Sequence, residues 1–102
     1  MMDLENTIWQ QIFNKKDDIV SRKIAGETIL VPIRGKLADM QKIFSLNPVA
    51  EYIWKQLDGK KLLGDIRAML LERYDVDETD LDTDIREFIE EMLKEELIAG
   101  VS

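Results

Sequence analysis

Apolar positions change their spacing several times along the chain. From Leu4 to Phe13 they recur at i+4, with Leu4, Ile8 and Ile12 on one line and Trp9 and Phe13 one residue on. Residues 1–16 therefore read as an amphipathic N-terminal extension. Such a segment serves as a short helix covering the domain, as an oligomerisation arm, or as a tail ordered on binding; the spacing does not choose among them. The pattern then turns β-like. Ile19-Val20 with Ile24, and Thr28-Ile29-Leu30-Val31-Pro32-Ile33, are two β-branched runs around Ala25-Gly26-Glu27, which predicts a hairpin. Pro32 cannot donate a ladder hydrogen bond, so it belongs at a strand end or on an edge. After the polar Arg34-Gly35-Lys36, the run from Met40 to Leu46 predicts a third short strand, flanked by a polar loop as an edge strand is.

Helical spacing takes over at Asn47-Pro48. Asn is a favoured N-cap, and proline at the first helical position lacks only an N–H that would be unpaired anyway. The first helix carries Val49, Ala50, Ile53, Trp54 and Leu57 on one face and stops at Asp58-Gly59. A second runs from Leu63 to Tyr74, with Ile66, Met69, Leu70 and Tyr74 inward. The acidic stretch from Asp75 to Asp84 leads into a third, capped by Asp77 or Thr79. Leu81, Ile85, Phe88, Ile89, Met92, Leu93 and Leu97 give this helix the strongest period in the chain. Gly100 ends it or follows a short tail strand. The predicted fold is α+β and winged helix-turn-helix-like: a three-stranded antiparallel sheet followed by three helices over residues 17–99, with a tail at 100–102.

Composition narrows the chemistry. The chain of 102 residues is 45% hydrophobic and 34% charged, which is globular, and it contains no histidine and no cysteine. Those absences remove Ser-His-Asp and Cys-His catalysis, disulfides, and the zinc and iron–sulfur ligand sets built on these residues. No cofactor, metal site or catalytic residue is expected. The run Asp75-Val76-Asp77-Glu78-Thr79-Asp80-Leu81-Asp82 resembles half of a calcium loop. Its sixth and twelfth positions, however, hold Asp80 and Arg86 where such a loop needs Gly and Glu, so a capped helix start accounts for it better. Gly26, Gly35, Gly59 and Gly64 are isolated and form no phosphate-binding loop. No apolar run approaches the roughly 20 residues of a membrane span, and no basic segment precedes an apolar one at the N-terminus. A cytoplasmic protein without membrane contact is expected.

Charge bears on partners. Residues 1–46 hold seven Lys/Arg against six Asp/Glu, whereas residues 47–102 hold seven against fifteen. The third helix carries Asp82, Asp84, Glu87, Glu90, Glu91, Glu95 and Glu96 against only Arg86 and Lys94. A winged helix reads DNA with a basic surface in the major groove, and this one repels phosphates. No nucleic-acid partner is expected. The feature left is the sheet edge, whose free backbone groups accept another strand; a homodimer through that edge or through Trp9 and Phe13 is one use of it.

The segment LNPVAEYIWKQLDGKKLLGDI, from Leu46 to Ile66, resembles the signature of the PqqD family, coenzyme PQQ synthesis protein D and its relatives. DIVSRKIAGETILVPI upstream and YDVDE followed by IREFIEEMLKEELI downstream resemble the rest of that domain, over about residues 17–99. The resemblance implies a non-catalytic peptide chaperone. Such a protein binds the leader of a ribosomally made precursor peptide and presents it to a modifying enzyme, a radical SAM protein in the case of PqqD. It further implies that the leader adds as a strand beside the third strand, in a cleft closed by the third helix. Carried onto this chain, the contact residues are Gln41, Lys42, Ile43, Phe44, Ser45 and Leu46 on the strand, and Ile85, Arg86, Ile89 and Leu93 on the helix. The alternatives are a docking subunit that binds no peptide and, against the charge, a winged-helix DNA-binding protein.

Overall fold

The structure of the chain, a computed structural model, describes residues 7–34, 37–38 and 43–101. The fold class is the one expected, a mixed α/β winged-helix-like domain. The hairpin forms from β2 (Ile19–Ile24) and β3 (Glu27–Arg34), paired antiparallel from Ile19↔Pro32 to Ile24↔Glu27. Its two-residue loop places Ala25 at φ 52° and Gly26 at φ 84°, the left-handed pair whose twist matches that of the flanking strands. Along the opposite edge of β3 lie β4 (Leu37–Ala38) and β5 (Phe44–Leu46). The third strand is therefore present, with described bounds narrower than the run from Met40.

Three helices follow: α1 (Pro48–Gln56), α2 (Leu63–Arg73) and α3 (Glu78–Lys94). Both predicted caps form. The backbone N–H of Ala50 donates to Asn47 Oδ1 at 2.8 Å, and those of Thr79 and Asp80 donate to Asp77 Oδ1 at 2.9 and 3.1 Å. The carboxylate of Asp77 is thus engaged in starting a helix. At its far end α3 closes with Leu97 N–H donating to the Met92 carbonyl and Glu96 N–H to that of Leu93, while Glu96 sits at φ 61°. That is a Schellman ending with a glutamate where glycine is usual. Leu97, read as the last position of the helical period, instead follows the cap and enters the core at 0% exposure.

The larger difference lies at the N-terminus. The i+4 spacing there leaves a covering helix, an arm and a tail open, and the described part is a 3-10 turn (Ile8–Gln10) followed by strand β1 (Ile12–Lys15). β1 is the middle strand of a second antiparallel sheet, between β6 (Asp58–Leu62) and β7 (Ile98–Gly100). Its registers are Ile12↔Leu62 and Asn14↔Asp58 on one side and Phe13↔Gly100 to Lys15↔Ile98 on the other. Turn and strand in succession imitate a helical repeat because Ile8 and Trp9 pack on the core from the turn while Phe13 enters it from the strand. The sheet buries Phe13 at 2% exposure, so this part of residues 1–16 is built into the domain.

One core joins both sheets and all three helices: Phe13, Leu30, Leu46, Ile53, Trp54, Leu57, Leu63, Ile66, Leu70, Leu81, Ile85, Ile89, Met92, Leu97 and Ile98. The turn is pinned from outside as well. The guanidinium carbons of Arg67 and Arg86 lie 5.7 and 5.4 Å from the centre of the Trp9 ring. A Cβ on Gly64, at the start of α2, would sit 3.0 Å from the Trp9 carbonyl oxygen, so glycine permits this approach.

Two stability outcomes follow from this construction. Phe13→Ala is expected to lose about 3–5 kcal/mol by denaturant unfolding, the cost of emptying a buried aromatic site; a loss below about 1 kcal/mol would mean β1 is peripheral. Glu96→Gly is expected to gain about 0.5–1 kcal/mol, because glycine takes a left-handed φ without strain. A loss in that variant would contradict the cap geometry.

Candidate binding groove

The groove begins with β5. Phe44, Ser45 and Leu46 pair with Leu30, Ile29 and Thr28 of β3, and among the described residues no strand pairs with the other edge of β5. Side chains alternate across the strand. Leu46 is buried and Phe44 half-buried on the core side, while Ser45 lies on the exposed face, where its hydroxyl is 3.4 Å from Glu27. The Asn47 cap then turns the chain into α1, so Val49, Ala50 and Ile53 continue the apolar surface begun by Phe44 and Leu46.

The opposing wall is α3. This helix packs on α1, α2 and β7, with Leu81, Ile85, Ile89 and Met92 in the core at 0–3% exposure. The neighbouring stripe, Asp84, Glu87, Phe88 and Glu91, is turned toward β5 and, with Met92, lines a groove of about 340 Å³. Positions three, four and seven apart share a helix face, so these four form one continuous side. The result is an apolar floor with an open strand edge on one side and a carboxylate-bearing helix on the other. Asp84, Glu87 and Glu91 are exposed and have no ion-pair partner among the described residues.

The expected site residues divide. Phe44, Ser45 and Leu46 line the groove, and Ile43 stands beside them at 41% exposure. Gln41 and Lys42 lie outside the described residues. The helix set needs correction as a description of the groove wall. Ile85 and Ile89 are 0% exposed in the core, Arg86 lies over Trp9 on the other flank of α3, and Leu93, at 40% exposure, is not on the wall. The reason is helical phase. The inward stripe packs on the core, and Arg86 and Leu93 fall beyond it on the far side. Sequence reasoning missed Val49, Ala50 and Ile53 as floor, and Asp84, Glu87, Phe88 and Glu91 as wall. A signal for the wall existed: Phe88 is apolar, yet it sits at the margin of the inward stripe.

A second acid fixes the floor. Glu51, in the first turn of α1, accepts a hydrogen bond from the buried Thr28 hydroxyl of β3 and pairs with Lys55 at 2.9 Å and Lys23 of β2 at 3.6 Å. The hydrogen bond from Lys55, then that from Thr28, hold its carboxyl at about 2, below the usual 4.5. This cluster ties α1 to the hairpin and so sets where the floor lies under β5. In the second sheet Asp58 is likewise held below the usual carboxylate range, first by the Lys61 ammonium and then by the Lys60 and Lys61 N–H groups. Burial pushes the Lys15 ammonium down, where it donates to the Trp54 carbonyl at 3.1 Å.

Residues 27–98, from the first residue of β3 to the first of β7, match the family described as coenzyme PQQ synthesis protein D (PqqD). The chain belongs to the PqqD family. The match takes in β5, α1 and α3, so the whole described groove lies within the PqqD segment, while β1 and β2 lie outside it. No curated protein matches the chain. Among solved structures, TbiB1 in complex with the TbiA(beta) leader peptide is similar at 26% identity and a TM-score of 0.68, over 87% of this chain and 98% of that one. A lasso peptide synthetase B1 complexed with its leader peptide shares the fold at 20% identity and a TM-score of 0.68, over 85% and 96%.

The Glu51 cluster has a measurable pH signature. A folded-state pKa below the unfolded value favours the fold when the group is ionised. The contribution is therefore complete above about pH 4.5 and fades as pH falls toward about 2. Glu51→Gln is expected to be less stable than the parent at pH 6 and to lose less stability between pH 4.5 and 2, measured by urea unfolding. Equal acid slopes in the two proteins would remove the cluster as the cause.

Proposed function

We propose that the chain is a non-catalytic peptide-binding protein that holds the leader of a ribosomally made precursor and presents it to a separate modifying enzyme. One observation carries the reading: a strand edge with no partner among the described residues faces a groove with an apolar floor, whose far wall is α3. Strand addition there supplies main-chain hydrogen bonds, each worth about 0.5–1.5 kcal/mol net, and alternate side chains of the added strand drop into the groove. Membership of the PqqD family supports it, as does the likeness to TbiB1, a protein solved with a leader peptide on it. By family, the enzyme partner is a radical SAM protein or another peptide-modifying enzyme, in pyrroloquinoline quinone or related peptide-derived synthesis.

The same fold in a DNA-binding role would press α3 against phosphates. Here that helix exposes Asp84, Glu87, Glu90 and Glu91, and repulsion opposes the contact. No helix among the described residues is long and apolar enough to cross a membrane.

The test is a ¹⁵N chemical-shift titration with the leader of a small precursor encoded beside the gene. Shifts are expected on Phe44–Leu46 and along the Asp84–Met92 face of α3. Ile43→Pro, which removes an N–H beside β5, is expected to weaken binding by about tenfold or more while helical circular dichroism is retained. Shifts elsewhere on the surface, or unchanged affinity in that folded variant, would sink strand addition. Co-purification with an enzyme but no peptide response would favour a docking subunit instead.

A further inference from the structure

The groove's wall and floor differ in chemistry, and the difference specifies an occupant. The inference rests on the reading of the groove as a strand-addition site and goes on to name the class of peptide. Along the floor every contributing side chain from α1 is apolar, while α3 offers Phe88 flanked by Asp84, Glu87 and Glu91. Three carboxylates within eight residues, none with an ion-pair partner among the described residues, form a band of negative potential along one side of an apolar trough.

Spacing gives the band a readable register. The wall residues run from Asp84 to Met92, so the groove follows α3 for about 12 Å at a rise of about 1.5 Å per residue. Glu87 and Glu91 are then about 6 Å apart along the axis, and Asp84 lies about 4.5 Å beyond Glu87. An extended peptide repeats its side chains on one face about every 6.6–6.8 Å. The Glu87–Glu91 spacing is within about 1 Å of one such repeat, whereas Asp84–Glu87 is shorter than it by about 2 Å. An apolar side chain seated over the floor beside Phe88 and running along α3 brings one residue two positions away to within about 1 Å of the level of Asp84 and the other to within about 2 Å of that of Glu91, with Glu87 beside the anchor.

We propose that the groove selects extended segments in which an apolar anchor has a lysine or arginine two residues away, read by the carboxylate band of Asp84, Glu87 and Glu91. The anchor supplies the buried area, and the cation meets a carboxylate that has no ion-pair partner among the described residues. Binding of such a segment weakens with salt, because the screening length falls from about 14 Å at 50 mM to about 4 Å at 500 mM.

The experiment is selection from a random 12-residue phage-displayed library on the full chain, in parallel with Glu87→Lys/Glu91→Lys and Glu87→Gln/Glu91→Gln. All four substitutions fall on exposed positions of α3. The parent is expected to enrich peptides with Lys or Arg two positions from an apolar residue. The lysine variant is expected to enrich Asp or Glu there, and the glutamine variant to lose the preference without gaining another. A synthetic peptide from the parent pool is expected to bind the lysine variant at least tenfold more weakly and to lose affinity from 50 to 500 mM salt. Enrichment of apolar peptides with no charge preference, or the same pool from all three proteins, overturns the selectivity while leaving strand addition intact. No enrichment on any of them overturns the peptide-binding reading itself.

Discussion

The groove depends on the seating of α3. Leu81, Ile85, Ile89 and Met92 bury one stripe of that helix almost completely, and protein interiors packed to crystal density do not let such a stripe rotate. Once it is fixed, the neighbouring stripe has no choice of direction. Asp84, Glu87, Phe88 and Glu91 must face β5, and Arg86 must face Trp9. The position of α3 is constrained at both ends too. Asp77 caps its start, Arg67 of α2 bonds to Asp82 in its first turns, and the Glu96 cap redirects the chain so that Leu97 and Ile98 dive into the core. The chemistry of the groove wall is therefore set by residues that never touch the groove.

The second sheet explains how so small a domain keeps the helix in place. In β1 the backbone of four residues joins β6, between α1 and α2, to β7, which follows α3. A strand with partners on both sides satisfies its N–H and C=O groups and removes two other edges from exposure. Further backbone bonds extend the join: Leu63 N–H to the Gln11 carbonyl, Lys16 N–H to that of Leu97, and Val101 N–H to that of Ile12. The chain's N-terminal strand thus ties the exit of its last helix to the entry of its second. Residues 27–98 carry the family pattern, yet the structure finishes that core with Phe13, which lies outside it.

How much of this was legible in the sequence depended on whether a local signal had a local cause. Asn47-Pro48 and Asp77 mark helix starts because capping is a property of a few adjacent residues, and Ala25-Gly26 marks a turn for the same reason. β6 is another matter. Asp58-Gly59-Lys60-Lys61-Leu62 has no β-branched residue, and it is a strand because β1 is there to pair with it; Gly59, at φ 76°, sits against the Asn14 side chain. β1 was not legible because Ile8 and Ile12, four apart, fit a helical template while belonging to a turn and a strand. On α3 the periodicity identified the helix and most of its inward line. It could not separate core from groove, because Ile85, Phe88 and Ile89 are all apolar and only the neighbours of each decide its role. The strand that borders the candidate groove came with the family resemblance, since every such sheet has edges, whereas the helix wall required the rotation angle.

An open strand edge is a hazard as well as a site, since a second copy offers the same unpaired groups. Three features of this chain oppose that outcome. The described edge of β5 is only three residues long, so a β5–β5 pairing gains few main-chain bonds. Those bonds would form on the side of the strand where α3 stands, so the acidic walls of two copies, each with Asp84, Glu87 and Glu91, would be drawn together. The net charge of −7 adds repulsion at longer range. A separate peptide carrying cations meets none of this opposition and gains from the same carboxylates. The acidity of α3 thus acts on both sides of one comparison: it raises the free energy of self-pairing and lowers that of pairing with a basic strand. Because the difference between those two outcomes is electrostatic, while the main-chain bonds are common to both, the wall rather than the edge decides which strand the edge accepts.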